Sequence, residues 1–453
     1  MRAKGPEGPL SRFVAAFALL VATFAAGAAS GAPGGGRLMG VASCAGSTCH
    51  GRAEGNGAVV RQDEIATWQE PSSPSGAHSR AYAVLNSLRG RQIGATLGID
   101  PTSAGECLGC HATTGGTRGP EFQLSDGVGC ESCHGAAEGW LPTHFSVGGN
   151  HSANVAAGMT PLERPSVRAK VCLDCHFGSD DAGQFVSHRM MAAGHPRISF
   201  ELDLFSALQQ HHDLDADYAQ RKGSLSSVRL WAIGQAEAVR RSLALFRQPQ
   251  FGTQGLFPEF YFYDCHSCHR QITDGPQRKL TFETNPGRPV PFATPPYNDE
   301  NMIMLSAVGR VLAPGQAAQF DNAVAGFHQA MGQGRTEAVT AAGKLEAAAA
   351  ALGGALDARG YGADEAFQVV SAIADKATAP RFTDYAGSAQ AVMAIDTMLN
   401  AMVRDGRVTV GAAAGIRAAI NRAYAAVESP ESYNPGVFRG ALSQAARSIG
   451  ALR

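Results

Sequence analysis

The chain has 453 residues, enough for two or three domains of ordinary size, which excludes a single small module or a stapled mini-scaffold. Its 38 basic and 39 acidic residues leave a formal net charge of −1, so there is no electrostatic footprint for nucleic acid and no polybasic handle for an anionic membrane. Charged residues make up 17% and hydrophobic residues 44%, with 54 glycines, a globular composition with long loops in which ten cysteines and fourteen histidines stand out.

The first segment reads as an address. Arg2, Lys4 and Arg12 form a positive head before the apolar stretch Phe13 to Ala29, which is closed by small residues. That is the pattern of a secretory signal, assigned to residues 1–32, with cleavage after Ala28 or near Ala32. The mature chain is expected in the periplasm or otherwise outside the cytoplasm; an uncleaved signal would instead act as an N-terminal membrane anchor.

The cysteines follow as five pairs, each with a histidine directly after its second member. They are Cys44 and Cys49 before His50 (CAGSTCH), Cys107 and Cys110 before His111 (CLGCH), Cys130 and Cys133 before His134 (CESCH), Cys172 and Cys175 before His176 (CLDCH), and Cys265 and Cys268 before His269 (CHSCH). With histidine this scarce, five such coincidences have a chance on the order of one in ten million or less. Two thiols add across the vinyl groups of one porphyrin edge while the adjacent histidine binds iron from below, so the pattern reads as five covalent haem c groups with His50, His111, His134, His176 and His269 as proximal ligands. Structural zinc needs two pairs per site and leaves one orphan, and neither zinc nor disulfides call for the histidines. The first pair is irregular: four residues, not two, separate Cys44 from Cys49.

The expected fold is mainly α with long irregular loops, a multihaem-packed N-terminal domain and a C-terminal α-helical bundle. Residues 33–273 form the pentahaem domain, in which Gly-, Pro- and Ser-rich stretches such as PSSPSG and TTGGTRGP leave little periodic pattern and the porphyrins must supply the core. One amphipathic helix stands out there, Leu225 to Gln248, with Val228, Trp231, Gln235 and Val239 on one face. Residues 274–300 are Pro-rich and read as a linker or extended strap. Residues 301–453 have no cysteine and only His328, and helical periodicity marks Gln316–Met331, Thr336–Leu352, Asp364–Ala377, Gly387–Arg404, Val410–Val427 and Gly436–Leu452 as an antiparallel bundle. Lacking thiols, this bundle is expected to be separable from the electron path.

Nine histidines remain for five irons: His78, His144, His151, His188, His195, His211, His212, His266 and His328. Eight of them lie between 44 and 270, a clustering that favours ligation, and His78, His144, His188, His195 and His212 are taken as the distal candidates. The rival thioethers Met159, Met190 and Met191 are few, and the last two read as packing.

The segment GVGCESCHG at 127–135, the preceding CLGCH and the histidine ten residues after His134 resemble the tetrahaem cytochrome c of nitrifying bacteria that takes electrons from hydroxylamine oxidoreductase. CAGSTCHGR and the run HRMMAAGHPRISFEL at 188–202 are closer to its longer multihaem relatives, and the likeness covers residues 44–200 or so. The resemblance implies that His78 caps the fourth haem, His144 the first, and His188 or His195 the third, and that the second haem has an open face. The irregular first motif, the fifth haem and the C-terminal bundle depart from the family pattern. The other member of His188 and His195 is then left for the fifth haem, and His211 or His212 for the second. The function expected is electron transport between redox partner proteins, with the helical domain available for docking to a membrane redox complex. The alternative is an oxidoreductase acting on a small nitrogen or sulfur species at one open-face haem, with the other four as a wire.

Overall fold

The architecture comes from a computed structural model that describes residues 36–55, 61–197, 199–254, 258–269, 289–290, 294–362, 364–379, 382 and 384–453. The expected signal segment and most of the Pro-rich stretch lie outside the described residues. The described residues are about 61% helical with almost no strand, the mainly α class that the sequence leads one to expect. Among the described residues no helix is long and apolar enough to cross a membrane.

Up to Lys222 the helices are short, because their task is to present attachment motifs. On a helix, positions i, i+3 and i+4 share one face, which is the geometry that two thiols and one imidazole need beneath a single porphyrin edge. The second, third and fourth motifs end the helices Gly105–His111, Cys130–His134 and Pro165–His176, the last of which we call α1. In the irregular first motif a 3₁₀ turn, Val41–Cys44, is followed by a tight turn in which Cys49 N donates to Gly46 O at 2.8 Å and His50 N donates to Cys44 O at 3.2 Å. The two additional residues are thereby looped out and His50 returns beneath Cys44. The fifth motif repeats the device, a 3₁₀ turn at Cys265–Ser267 with His269 N donating to Cys265 O at 2.8 Å.

The long helices are α2 (Ser227–Arg247), α3 (Glu300–Leu312), α4 (Pro314–Met331), α5 (Arg335–Ala358), α6 (Glu365–Ala377), α7 (Tyr385–Arg404), α8 (Val410–Ala425) and α9 (Pro435–Gly450). Starts carry the expected caps: Ser226 accepts from Arg229 N at 3.4 Å, and Asn434, followed by Pro435, accepts from Val437 N at 3.0 Å. Helix α2 packs on α1, α3 and α5; α4 lies along α5, α6 along α7, and α8 along α9. Helix α3 was not anticipated. Met302, Ile303, Met304, Leu305, Ala307 and Val308 are all buried, so it has no polar face to set up an amphipathic period, and it begins where the Pro-rich run ends.

The bundle is continuous with the haem-bearing segment. A single hydrophobic core runs from Ala169 and Leu173 on the fourth-motif helix through α2 into α3–α9. Tyr297, at the end of the stretch expected as a strap, is buried with its ring against Phe246, Phe262 and Phe327. Polar ties cross the same boundary: Arg197 to Glu300 at 2.8 Å, Arg404 to Asp203 at 3.0 Å, and buried Asn301 Nδ2 donating to Gln235 Oε1 at 2.8 Å. A bundle separable at Glu300 does not fit this packing. Trp231, Val239, Leu243 and Phe246 are each no more than 1% exposed. At roughly 1.5–3 kcal/mol for each large apolar side chain, uncovering them costs about as much as the roughly 5–15 kcal/mol by which a domain is stable. A chain ending near Glu300 is therefore expected to lose cooperative unfolding and to fall short in haem per chain, checked by calorimetry and by haem-to-protein ratio; an unchanged melt and full haem content would contradict the shared core.

Candidate haem-binding sites

Each motif histidine faces the ring of a histidine from elsewhere in the chain. His50 faces His144 with ring centroids 6.0 Å apart and planes 21° from parallel. His176 faces His78 at 6.1 Å and 67°, His111 faces His195 at 6.3 Å and 83°, and His269 faces His188 at 6.1 Å and 41°. His134 faces two rings, His211 at 6.2 Å and His212 at 6.0 Å, and the ligand atoms of these three lie within 4.8 Å of one another. A metal between two imidazoles, at about 2.0 Å from each nitrogen, sets ring centroids about 6 Å apart once the ring radii are added. Direct ring stacking would be closer, as it is for His211 on His212 at 4.2 Å.

The placements differ from the expected map at two positions, and the second motif, whose face the resemblance leaves open, has a ring opposite it. His195 lies opposite His111 and not His134, and the rings facing His134 are His211 and His212, which that map left for the second motif. His144 and His78 stand opposite the first and fourth motifs. Three of the spare histidines are engaged elsewhere: His151 pairs with Glu163 at 3.0 Å, His266 Nδ1 bonds Pro430 O at 2.7 Å, and fully buried His328 bonds Asp299 at 3.0 Å. Met191 packs against the hydrophobic core.

Most facing rings have their outer nitrogen held. His111 Nδ1 lies 2.7 Å from Ala81 O, His195 Nδ1 2.8 Å from Pro196 O, His211 Nδ1 2.9 Å from Gln209 O, and His144 Nδ1 3.2 Å from the Asn154 amide. Such bonds set the ring angle and leave the other nitrogen for metal. Burial lowers the pKa of His78, His144 and His195, takes His176 and His211 down to about 4, and puts His134 well below the ordinary value. These imidazoles are neutral at physiological pH, the form that can bind a metal. His50 is raised instead by its hydrogen bond to Glu64.

The ten motif cysteines are grouped. Cys44 lies beside Cys130 and Cys110 beside Cys175, so the first and third motifs are neighbours, as are the second and fourth. The second and fourth motifs also meet through glycine: a Cβ on Gly109 would sit 2.4 Å from Gly183 O, and Gln184 Nε2 donates to Gly109 O at 3.0 Å.

Two carboxylates that no motif announces complete the sites. Glu131, inside the third motif, accepts backbone N–H groups from Met39 at 2.9 Å, Gly40 at 2.8 Å and Ala137 at 2.7 Å, which fastens the start of the described chain beneath that motif. Glu64, 5% exposed, has Oε2 2.9 Å from His50 Nδ1 and Oε1 3.7 Å from His212 Nδ1. Burial acts to raise its pKa, but the nearby His212 ring and the hydrogen bond to His50 outweigh this and hold the carboxyl well below the usual range.

Paired thiols beside a metal-ready histidine, repeated along a mainly α chain, define a c-type cytochrome. Residues 43–135, which carry the first three motifs, match the family model described as cytochrome c554 and c-prime. The protein is thus a c-type cytochrome of electron transfer with covalently bound haem c. Comparison with curated proteins and with solved structures finds no match. Replacing Glu131 by Ala strands three backbone donors, at about 1–3 kcal/mol for each buried group left unpaired. Glu131→Ala should lower stability by about 2–5 kcal/mol in chemical denaturation of the holoprotein, and a change below about 0.5 kcal/mol would show that water replaces the carboxylate.

Proposed function

We propose that this chain is a periplasmic pentahaem cytochrome c that carries single electrons between redox partner proteins through sites with two axial histidines each. The observation that supports the reading is that all five motif histidines have a facing imidazole at metal-bridging distance. In this reading His50 pairs with His144, His111 with His195, His134 with His211 or His212, His176 with His78, and His269 with His188. Bound haem supplies one-electron iron chemistry without bond making. The chain's own residues fix the ring angles, keep the imidazoles neutral and exclude water from the inner sites, so that little reorganises when charge changes.

Residues 430–433 belong to the fifth site as well as to the bundle. His269 Nδ1 lies 3.4 Å from Glu431, and His266 bonds Pro430 O and packs on Tyr433. Docking to a redox complex through this turn and the helices behind it is part of the proposal. The signal-like pattern of the Phe13 to Ala29 stretch supports export. The oxidoreductase reading requires an iron face without a ring opposite.

Mass spectrometry of the denatured protein should give the apoprotein plus five haems; four would leave the CAGSTCH site empty. Paramagnetic resonance of the oxidised protein should give low-spin signals only. Near-perpendicular rings interact equally with the two iron orbitals that parallel rings split, so the second and third sites should be the more anisotropic and the first the least. Replacing His78 or His144 by Met should raise one midpoint potential, since thioether favours ferrous iron. Carbon monoxide binding by the reduced protein, or an unchanged titration in both variants, would refute the ligand pairing.

A further inference from the structure

We infer that Glu64 is a positioning residue for the first haem site, and that its buried carboxylate on His50 Nδ1 lowers that site's reduction potential. This rests on the reading of His50 as an iron ligand. The other motif histidines differ in what holds Nδ1. His111 has a backbone carbonyl, His176 Nδ1 is buried with no hydrogen-bond partner, and His269 has a carboxylate at 3.4 Å with both side chains more than half exposed. Against His50 the carboxylate is at 2.9 Å and its side chain is only 6% exposed, so solvent screens it little.

The physics has one direction. A carboxylate accepting the Nδ1–H draws that proton outward and makes Nε2 the stronger donor, which stabilises ferric over ferrous iron. The tautomer is fixed at the same time, because only Nε2 remains for the metal. The second oxygen is buried without a hydrogen-bond partner and points at His212, one of the two rings facing His134. The same negative charge therefore acts, more weakly, on the third site, whose motif thiol Cys130 already touches Cys44 of the first. Glu64 stands in the segment DEIATWQE, fourteen residues beyond His50, on the short helix Glu64–Gln69.

The test uses the holoprotein carrying Glu64→Gln, which keeps shape and removes charge, and Glu64→Asp, which keeps charge but withdraws it by one methylene. Haem per chain, low-spin signals and potentiometric titration are read for each. Glu64→Gln should retain five haems and all low-spin signals while one midpoint rises, the ferrous-to-ferric ratio of that haem increasing at least tenfold at fixed potential, about 59 mV for one electron. Glu64→Asp should shift the same midpoint less. Unmoved midpoints in both variants, equal shifts in both, or loss of the first haem in both would overturn the assignment, the last making Glu64 a folding residue. A wild-type protein whose first haem is missing or high-spin would instead defeat the ligand reading itself, before either variant is compared.

Discussion

The separation of about 6 Å between facing imidazoles is the constraint from which the N-terminal half follows. In the proposed reading a metal tied to two rings would cross-link two positions of the chain, and the facing rings stand far apart in sequence: His78 with His176, His111 with His195, His134 with His211 and His212. Metal binding of this kind contributes directly to folding free energy, because the site is not formed in the unfolded chain. Segments between these histidines can be glycine-rich loops of little regular structure, since in that reading cross-links and porphyrin faces would replace an ordinary core. Short helices survive where a motif needs its two thiols and its histidine on one face.

Past His195 the chain changes its means of staying folded. Helix α2 is buried nearly all round, and with α3–α9 it builds a conventional apolar core that reaches back to Leu173 on the fourth-motif helix. The second part thus serves as a rigid platform for the fourth and fifth motifs. Arg197 joins the two: it donates to Cys265 Sγ at 3.1 Å and to Glu300 at 2.8 Å, so the fifth attachment motif is braced by the first residue of α3. Distortion in the bundle would be felt at the fifth site before any other.

Much of this was legible in the sequence, for identifiable reasons. The attachment motifs are covalent chemistry at fixed spacing, and α2 and α4–α9 carry a 3.6-residue period, so both could be read. Helix α3 was hidden because its buried residues surround it, and the shared core because a Pro-rich stretch ahead of it reads as a break although Tyr297 to Glu300 are interior. The facing rings could not be read as pairs: histidine supply says how many rings there are, while pairing depends on how loops such as that at Gly183 cross. That is why His195 stands opposite His111 and the adjacent His211 and His212 opposite His134. Glu64 and Glu131 had no signal at all, since a carboxylate acting on one ring nitrogen or on three backbone amides needs no motif.

The account stands on every iron having a ring on both sides. Mössbauer spectroscopy of the ⁵⁷Fe-enriched, fully reduced protein counts iron by spin state and tests this directly. Two imidazoles at each site require low-spin ferrous iron throughout. A high-spin ferrous doublet with the area of one site in five would contradict the account and mark one haem as open to a substrate.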